Sequence, residues 1–256
     1  VVGDYQVGGK KGFFVQDADG DGDPATSDGV FVYAPGGMDV RTGDYVRVRG
    51  AVSEYYTLTE ISASQIWMCV EEAGLPEATP FSLPVTSLDD FEPFEGMLVT
   101  FPQDLVISEY FDFDRYGEIV LTSTRHLTPT AEYEPGSPEI DAAVESYLLD
   151  RIVLDDGRTG QNPDPALHPD GTIFDLNNLF RGGSLITNLT GVLDYSYGEY
   201  VVQPVLGADY TDANPRTASP DLAEGDLRIA SLNVLNYFTT IDTGSDICGP
   251  SADMEC

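Results

Sequence analysis

The densest set of ligating side chains lies near the N-terminus. Asp17-Ala-Asp19-Gly-Asp21-Gly22-Asp23 runs on through Pro, Ala, Thr and Ser to Asp28. This spacing matches the D-x-[DN]-x-[DN]-G-x5-E calcium loop, with Asp where the final Glu would stand. Calcium takes about 6–8 oxygen ligands, and glycine at the sixth position admits the sharp turn. Asp at the last position reaches less far than Glu and is a poorer bidentate ligand. The flanks read as strands, so the loop closes a hairpin and does not join two helices. Ca2+ held by Asp17, Asp19, Asp21, Asp23 and Asp28 is the expectation; the alternative is an Asp/Gly-rich turn that only solubilises the hairpin.

A second group could meet phosphates. Arg41, Arg47 and Arg49 form the one local basic cluster. Arg47 and Arg49 alternate along an expected strand and so share a face. Tyr55 and Tyr56, with Tyr195, Tyr197 and Tyr200, offer rings on which bases could stack. The alternative is that the tyrosines pack the ends of the strands and the arginines pair with surplus carboxylates. A third segment, Leu227-Arg-Ile-Ala-Ser-Leu-Asn233-Val-Leu-Asn236-Tyr-Phe238, reads as a strand with a polar amide near its end. Such an amide can hold a cation or a phosphate, although a turn-forming Asn is the commoner case. The chain has no GxSxG elbow, no P-loop, no HExxH and no CxxC.

The elements around these groups are mostly strands. The chain has 256 residues, 41% of them hydrophobic, enough for a packed core. Its net charge is −32, spread along the whole length, which excludes a basic surface as a global property. Gly12–Gln16, Gly29–Tyr33, Tyr45–Val52 and Thr57–Ile61 read as strands at the spacing of a small barrel or sandwich. A Pro-rich linker is expected over 76–93, followed by strands at 96–101, 105–107 and 117–122. Ser137 and Pro138 open one expected helix, near 138–149, with an apolar stripe of Ile140, Val144, Tyr147 and Leu148. Residues 157–183 read as a long loop. Gly43–Tyr55 and Gly183–Tyr195 share a pattern: Gly, alternating strand, Gly, apolar residues, acid, Tyr. The same hairpin is therefore expected twice, in two related modules. Cys248 and Cys256 are close enough for a loop disulfide, leaving Cys69 over. No stretch reads as a membrane span.

Several of these segments together resemble secreted bacterial nucleases of the ExeM/NucH type. The matching residues are Gly12–Asp17, Thr26–Val32, Gly43–Gly50, Glu95–Phe101, Arg151–Gly157, Gln161–Pro165 and Leu193–Tyr195. Leu227–Phe238 is similar to the first strand of the endonuclease/exonuclease/phosphatase fold. The resemblance implies a mainly β protein with OB-fold-like barrels in two related modules, followed by the start of that α/β domain. The organisation it suggests is an OB-like module at 1–75, the linker at 76–93, a second barrel-like module at 94–220 and the nuclease start at 221–256. It implies a metal- or phosphate-site role for Asn233 beside Mg2+ or Mn2+, an extracellular or cell-surface location, and a nucleic-acid partner, DNA before RNA. In that fold the remaining catalytic residues follow the first strand, and no His follows Leu227 here. His126 and His168 precede it and are expected to be ordinary surface residues. The chain is therefore read as the accessory N-terminal part of a longer enzyme, inactive alone, whose nuclease domain continues in cis. A non-enzymatic, calcium-stabilised binding or adhesion module is the competing expectation.

Overall fold

The computed structural model describes residues 1–219 together with Gly225, Leu227 and Ile229. Val1–Pro215 form one compact unit. The protein is mainly β, with a closed five-stranded barrel compatible with an OB-like one. Strands β1 (Gly3–Tyr5), β2 (Gly12–Gln16), β3 (Gly29–Tyr33), β4 (Tyr45–Tyr55) and β5 (Leu58–Val70) form the first sheet, in the order β1-β2-β3-β5-β4. Its open edges are tied at one end. The Val1 nitrogen donates to the Asp44 carbonyl at 2.6 Å, and the Gly43 N–H donates to the Val1 carbonyl at 2.9 Å.

The second sheet holds β6 (Thr79–Pro80), β7 (Leu98–Thr100), β8 (Leu105–Glu109), β9 (Ile119–Thr122), β10 (Arg151–Leu154), β11 (Leu185–Ser196) and β12 (Glu199–Thr211). Strand β11 bonds both β12 and β8, so β8-β9-β10-β12-β11 close into a ring. The two rings share one connectivity. In each, the third and fifth strands pair parallel and the other pairs run antiparallel.

The repeat noted in the sequence is the hairpin of fourth and fifth strands. In both copies the register slips at a glycine, between Arg49 and Gly50 and between Thr190 and Gly191. A Cβ on Gly50 would lie 2.3 Å from the Ser62 carbonyl oxygen, and one on Gly191 2.3 Å from that of Gln203. Only glycine lets the paired backbone come that close. Both hairpins turn on two residues of positive φ, Tyr56-Thr57 and Tyr197-Gly198. That geometry suits the right-handed twist of the strands, and β-branched Thr57 holds it at a steric cost that Gly198 avoids.

Hydrophobic pattern explains the packing. Phe13 and Phe14 follow each other on β2 and point to opposite faces. Phe13 enters the first ring with Val32, Ala34 and Val40, and Phe14 packs with Val2, Phe31, Leu98 and Val192 between the rings. The second ring is filled by Leu105, Ile107, Ile119, Leu121, Ile152, Ile186 and Val202. The stretch expected as a linker over 76–93 is packed against this core through Phe81, Leu83, Val85 and Phe91. Within it, Ser87 caps the 3₁₀ turn Leu88–Phe94, and the Asp90 carboxylate accepts the N–H groups of Thr86 and Ser87.

Helix α1 is the single turn Phe113–Tyr116, and α2 spans Pro138–Leu149. The expected apolar stripe of α2 is not buried; Val144 and Leu148 are each 43% exposed. Of that stripe Tyr147 packs on the sheet, against Val120, Val153 and Val201, and beyond it Leu149, at the helix end, meets the core of the second ring.

A buried polar cluster joins the rings. Lys10, between β1 and β2, places Nζ 2.7 Å from Asp194 Oδ2 on β11, and the two side chains are 11% and 1% exposed. Gln203 Nε2 donates to Asp155 Oδ2 at 2.8 Å and to Asp194 Oδ2 at 3.3 Å. The Gly157 N–H holds Asp155 Oδ1, while Asp194 Oδ1 has no partner among the described residues. Burial pushes the Asp155 carboxyl up from its ordinary range, and the nearby Lys10 charge opposes that shift.

Candidate functional sites

Arg47 and Arg49 stand on the exposed face of β4, as their alternation requires. Register pairs Arg47 with Trp67 and Arg49 with Gln65 on β5. Trp67 is 43% exposed, and Tyr45, two residues before Arg47, is 64% exposed. Among the described residues neither guanidinium forms a salt bridge, so the carboxylate surplus has not claimed them. Tyr55 and Tyr56 lie at the hairpin tip, edge to face with centroids 4.8 Å apart. At about 3.3 Å per residue, the tip is roughly 20 Å from Arg49. The structure thus gathers Arg47, Arg49, Trp67 and Tyr45 on one face and leaves the tyrosine pair apart. Trp67 escaped the sequence reading because its place opposite Arg47 depends on register.

The 17–28 loop joins β2 to β3, as expected. Its carboxylates turn inward on the loop's own backbone. Asp17 Oδ1 accepts Asp19 N, Asp21 Oδ1 accepts Asp23 N, Asp23 Oδ1 accepts Ala25 N, and Asp28 Oδ1 accepts Asp21 N, at 2.8–3.1 Å. Among the described residues no group of three or more His, Cys, Asp or Glu side chains is gathered to hold a metal. The loop's chemistry is all oxygen, which suits a hard cation, but its carboxylates are spread along the turn. Asn233 and the expected nuclease strand lie outside the described residues, as do Cys248 and Cys256. Cys69 is exposed and has no disulfide partner among the described residues.

One histidine, His168, departs from expectation. His168 is 2% exposed, boxed by Phe180 and Tyr210, with Nδ1 2.8 Å from Asp170 Oδ1. Its loop folds back on the second ring and carries the imidazole inside. His126 is partly buried, with Nε2 2.7 Å from Asp150 Oδ2.

A cleft of about 360 Å3 lies between the 3₁₀ turn Leu88–Phe94, β10 and the turn joining β11 to β12. Phe91 stacks on Tyr200 at 4.6 Å, and Tyr200 meets Tyr195 edge to face at 5.0 Å. Tyr200 donates its hydroxyl to Glu92 Oε2 at 2.8 Å. Arg151 bridges Glu199 with two contacts, at 2.8 and 3.3 Å. Glu95 also lines the cleft. Burial first, and then the charges of Glu92, Asp194 and Glu54, push its carboxyl from 4.5 up to about 7, against one N–H from Thr59. Glu118, in an adjoining cleft, is likewise pushed to about 7, mainly by burial.

A family model described as a domain of unknown function, DUF8508, matches residues 60–211, more than half of the chain. The chain belongs to the DUF8508 family. No curated protein and no solved structure matches it. The DUF8508 match starts inside β5 and ends with β12, so it takes in the whole second ring, the cleft beside Glu118, and all of the larger cleft's lining except Thr57. Among the described residues no helix is long and apolar enough to cross a membrane.

The DUF8508 clefts carry a pH signature. A carboxyl whose folded pKa exceeds its unfolded one binds its proton more tightly when folded. Its contribution to stability is therefore fully present below the unfolded value and declines as pH rises toward the folded value. For Glu95 that window runs from 4.5 to about 7. Glu95→Gln is expected to flatten part of the fall in melting temperature across this window. An unchanged pH profile in the variant would remove Glu95 as a source.

Proposed function

We propose that this chain is the N-terminal accessory part of an extracellular, divalent-metal-dependent nuclease, and that its first ring holds the nucleic acid, DNA in preference to RNA. The observation that carries the binding role is the β4–β5 face. Two arginines that form no salt bridge among the described residues stand there beside an exposed Trp67 on an otherwise acidic protein. Arginine supplies phosphate contacts, and the indole and phenol rings supply sequence-tolerant stacking. Two rings of one connectivity, compatible with OB-like barrels, support the reading, because OB folds commonly present strands and loops to oligonucleotides. The nuclease activity, the Mg2+ or Mn2+ beside Asn233 and the extracellular location rest on the resemblance to secreted nucleases.

Binding of fluorescent single-stranded DNA should weaken steeply between 50 and 200 mM salt, about as the electrostatic model requires. Arg47→Ala with Arg49→Ala should weaken it at least about tenfold and flatten the salt slope by roughly 1.4, two phosphate contacts at about 0.7 each. Trp67→Ala should weaken it by about 1–3 kcal/mol. Salt-insensitive binding, or a double variant that binds like wild type, would refute this interface. Metal-dependent DNA cleavage by the complete gene product tests the enzyme itself.

The Asp17–Asp28 loop we propose as a Ca2+ site, on the strength of its oxygen donors and spacing alone. Occupancy would require its carboxylates to exchange backbone N–H partners for the ion. Millimolar calcium should then raise the melting temperature, and Asp21→Asn should abolish the rise. A melting temperature indifferent to calcium excludes the site. Calcium stabilisation without any nucleic-acid binding would favour a non-enzymatic adhesion module.

A further inference from the structure

The cleft beside Phe91 has the wrong charge for a phosphate ligand. Its polar wall carries Asp89, Glu92, Glu95 and Glu199, and its one cation among the described residues, Arg151, is committed to Glu199. Glu92 is engaged by the Tyr200 hydroxyl. Glu95 has no such partner. It is 8% exposed, its Oε1 receives only a 3.4 Å N–H from Thr59, and its Oε2 receives no hydrogen bond from any described residue. A carboxylate taken this far out of water without a counter-charge is unfavourable, and a cation arriving there would relieve it. The opposite wall presents Tyr195 and Tyr200, packed edge to face and backed by the buried Phe91; tyrosine ring faces attract cations and cover aliphatic stems.

We propose that this cleft binds a lysine or arginine side chain carried by a basic segment of a partner polypeptide, with the charged head on Glu95 and the stem along the aromatic wall. Charge decides the occupant: a protein of net charge −32 repels anions and draws basic chains. The adjoining cleft of about 250 Å3 shares Arg151, Val153 and Glu199 with the first and adds Glu118, another partly buried carboxylate. A second basic residue of the same segment fits there. The Arg47, Arg49 and Trp67 side chains take no part in it, although Thr57 and Thr59 of the same hairpin reach the cleft, and it stands whether or not the protein belongs to a nuclease.

The probe is N-acetyl-arginine methylamide, with its uncharged citrulline analogue as control, titrated into the intact protein and followed by amide chemical shifts. Saturable shifts are expected within 88–95 and 195–200. The citrulline analogue should bind at least tenfold more weakly. Glu95→Gln should weaken the arginine probe at least tenfold while the protein remains folded, and Tyr195→Ala should weaken it through the aromatic wall. Asp39→Asn, an exposed acid of the first ring, should change nothing. Shifts scattered over the acidic surface, equal binding of the two probes, wild-type affinity in Glu95→Gln, or no saturation would each overturn the proposal.

Discussion

Lys10→Met is expected to lower the stability of the protein by about 3–5 kcal/mol, the range for removing one partner of a buried ion pair. The Lys10 ammonium is 2.7 Å from Asp194 Oδ2, and the Asp194 side chain is 1% exposed. Asp155 shares the same Gln203 amide with Asp194, so two buried carboxyl groups depend on one cation. Without it, the remaining charge stays in a poorly solvated site with Asp194 Oδ1 already unpartnered. Lys10→Met combined with Asp194→Asn should recover most of the loss, since the amide carries no charge to strand. Equilibrium denaturation at pH 7 measures both variants. A single variant within about 1 kcal/mol of wild type, the scale of an ordinary surface pair, would show that the cluster is solvated. Typical domains hold only about 5–15 kcal/mol in all, so the expected loss is a large share.

Phe91→Ala should be nearly as severe, about 3–5 kcal/mol. The ring is 1% exposed and lies between Phe81, at 5.0 Å, and Tyr200, at 4.6 Å. Truncation would leave a cavity among rings held by different elements, which cannot close together to fill it. Leu88→Ala, on the same 3₁₀ turn but 50% exposed, should stay within about 0.5 kcal/mol. Equal effects of the two substitutions would mean that the 76–93 stretch is the loose connection its prolines suggest.

That contrast shows where sequence is informative. Period-two alternation placed Arg47 and Arg49 on one face, and paired glycines marked the hairpin repeat, because strand period and close backbone approach are local properties. Proline content misled over 76–93. Pro breaks ladders without preventing its neighbours from packing, and the intervening Phe81, Leu83, Val85 and Phe91 are the residues that pack. The burial of His168 and the pairing of Trp67 with Arg47 depend on register and loop return, which no window of sequence contains. Glu95 is one acid among 44 acidic residues, and only its position against the aromatic wall distinguishes it.

The strand order has a consequence for how the chain is made. In each ring the last strand synthesised lies between the third and the fourth, β5 between β3 and β4 and β12 between β10 and β11. While the chain emerges, β3 and β4 have no ladder to share, and each waits with an unpaired edge until the fifth strand slots in. A nascent chain that stalls just before β12 would therefore present a ring with a missing stave rather than a smaller barrel. Its bare edges are the kind that recruit strands from other chains. The last dozen residues of each ring are thus its closing step in time as well as in space.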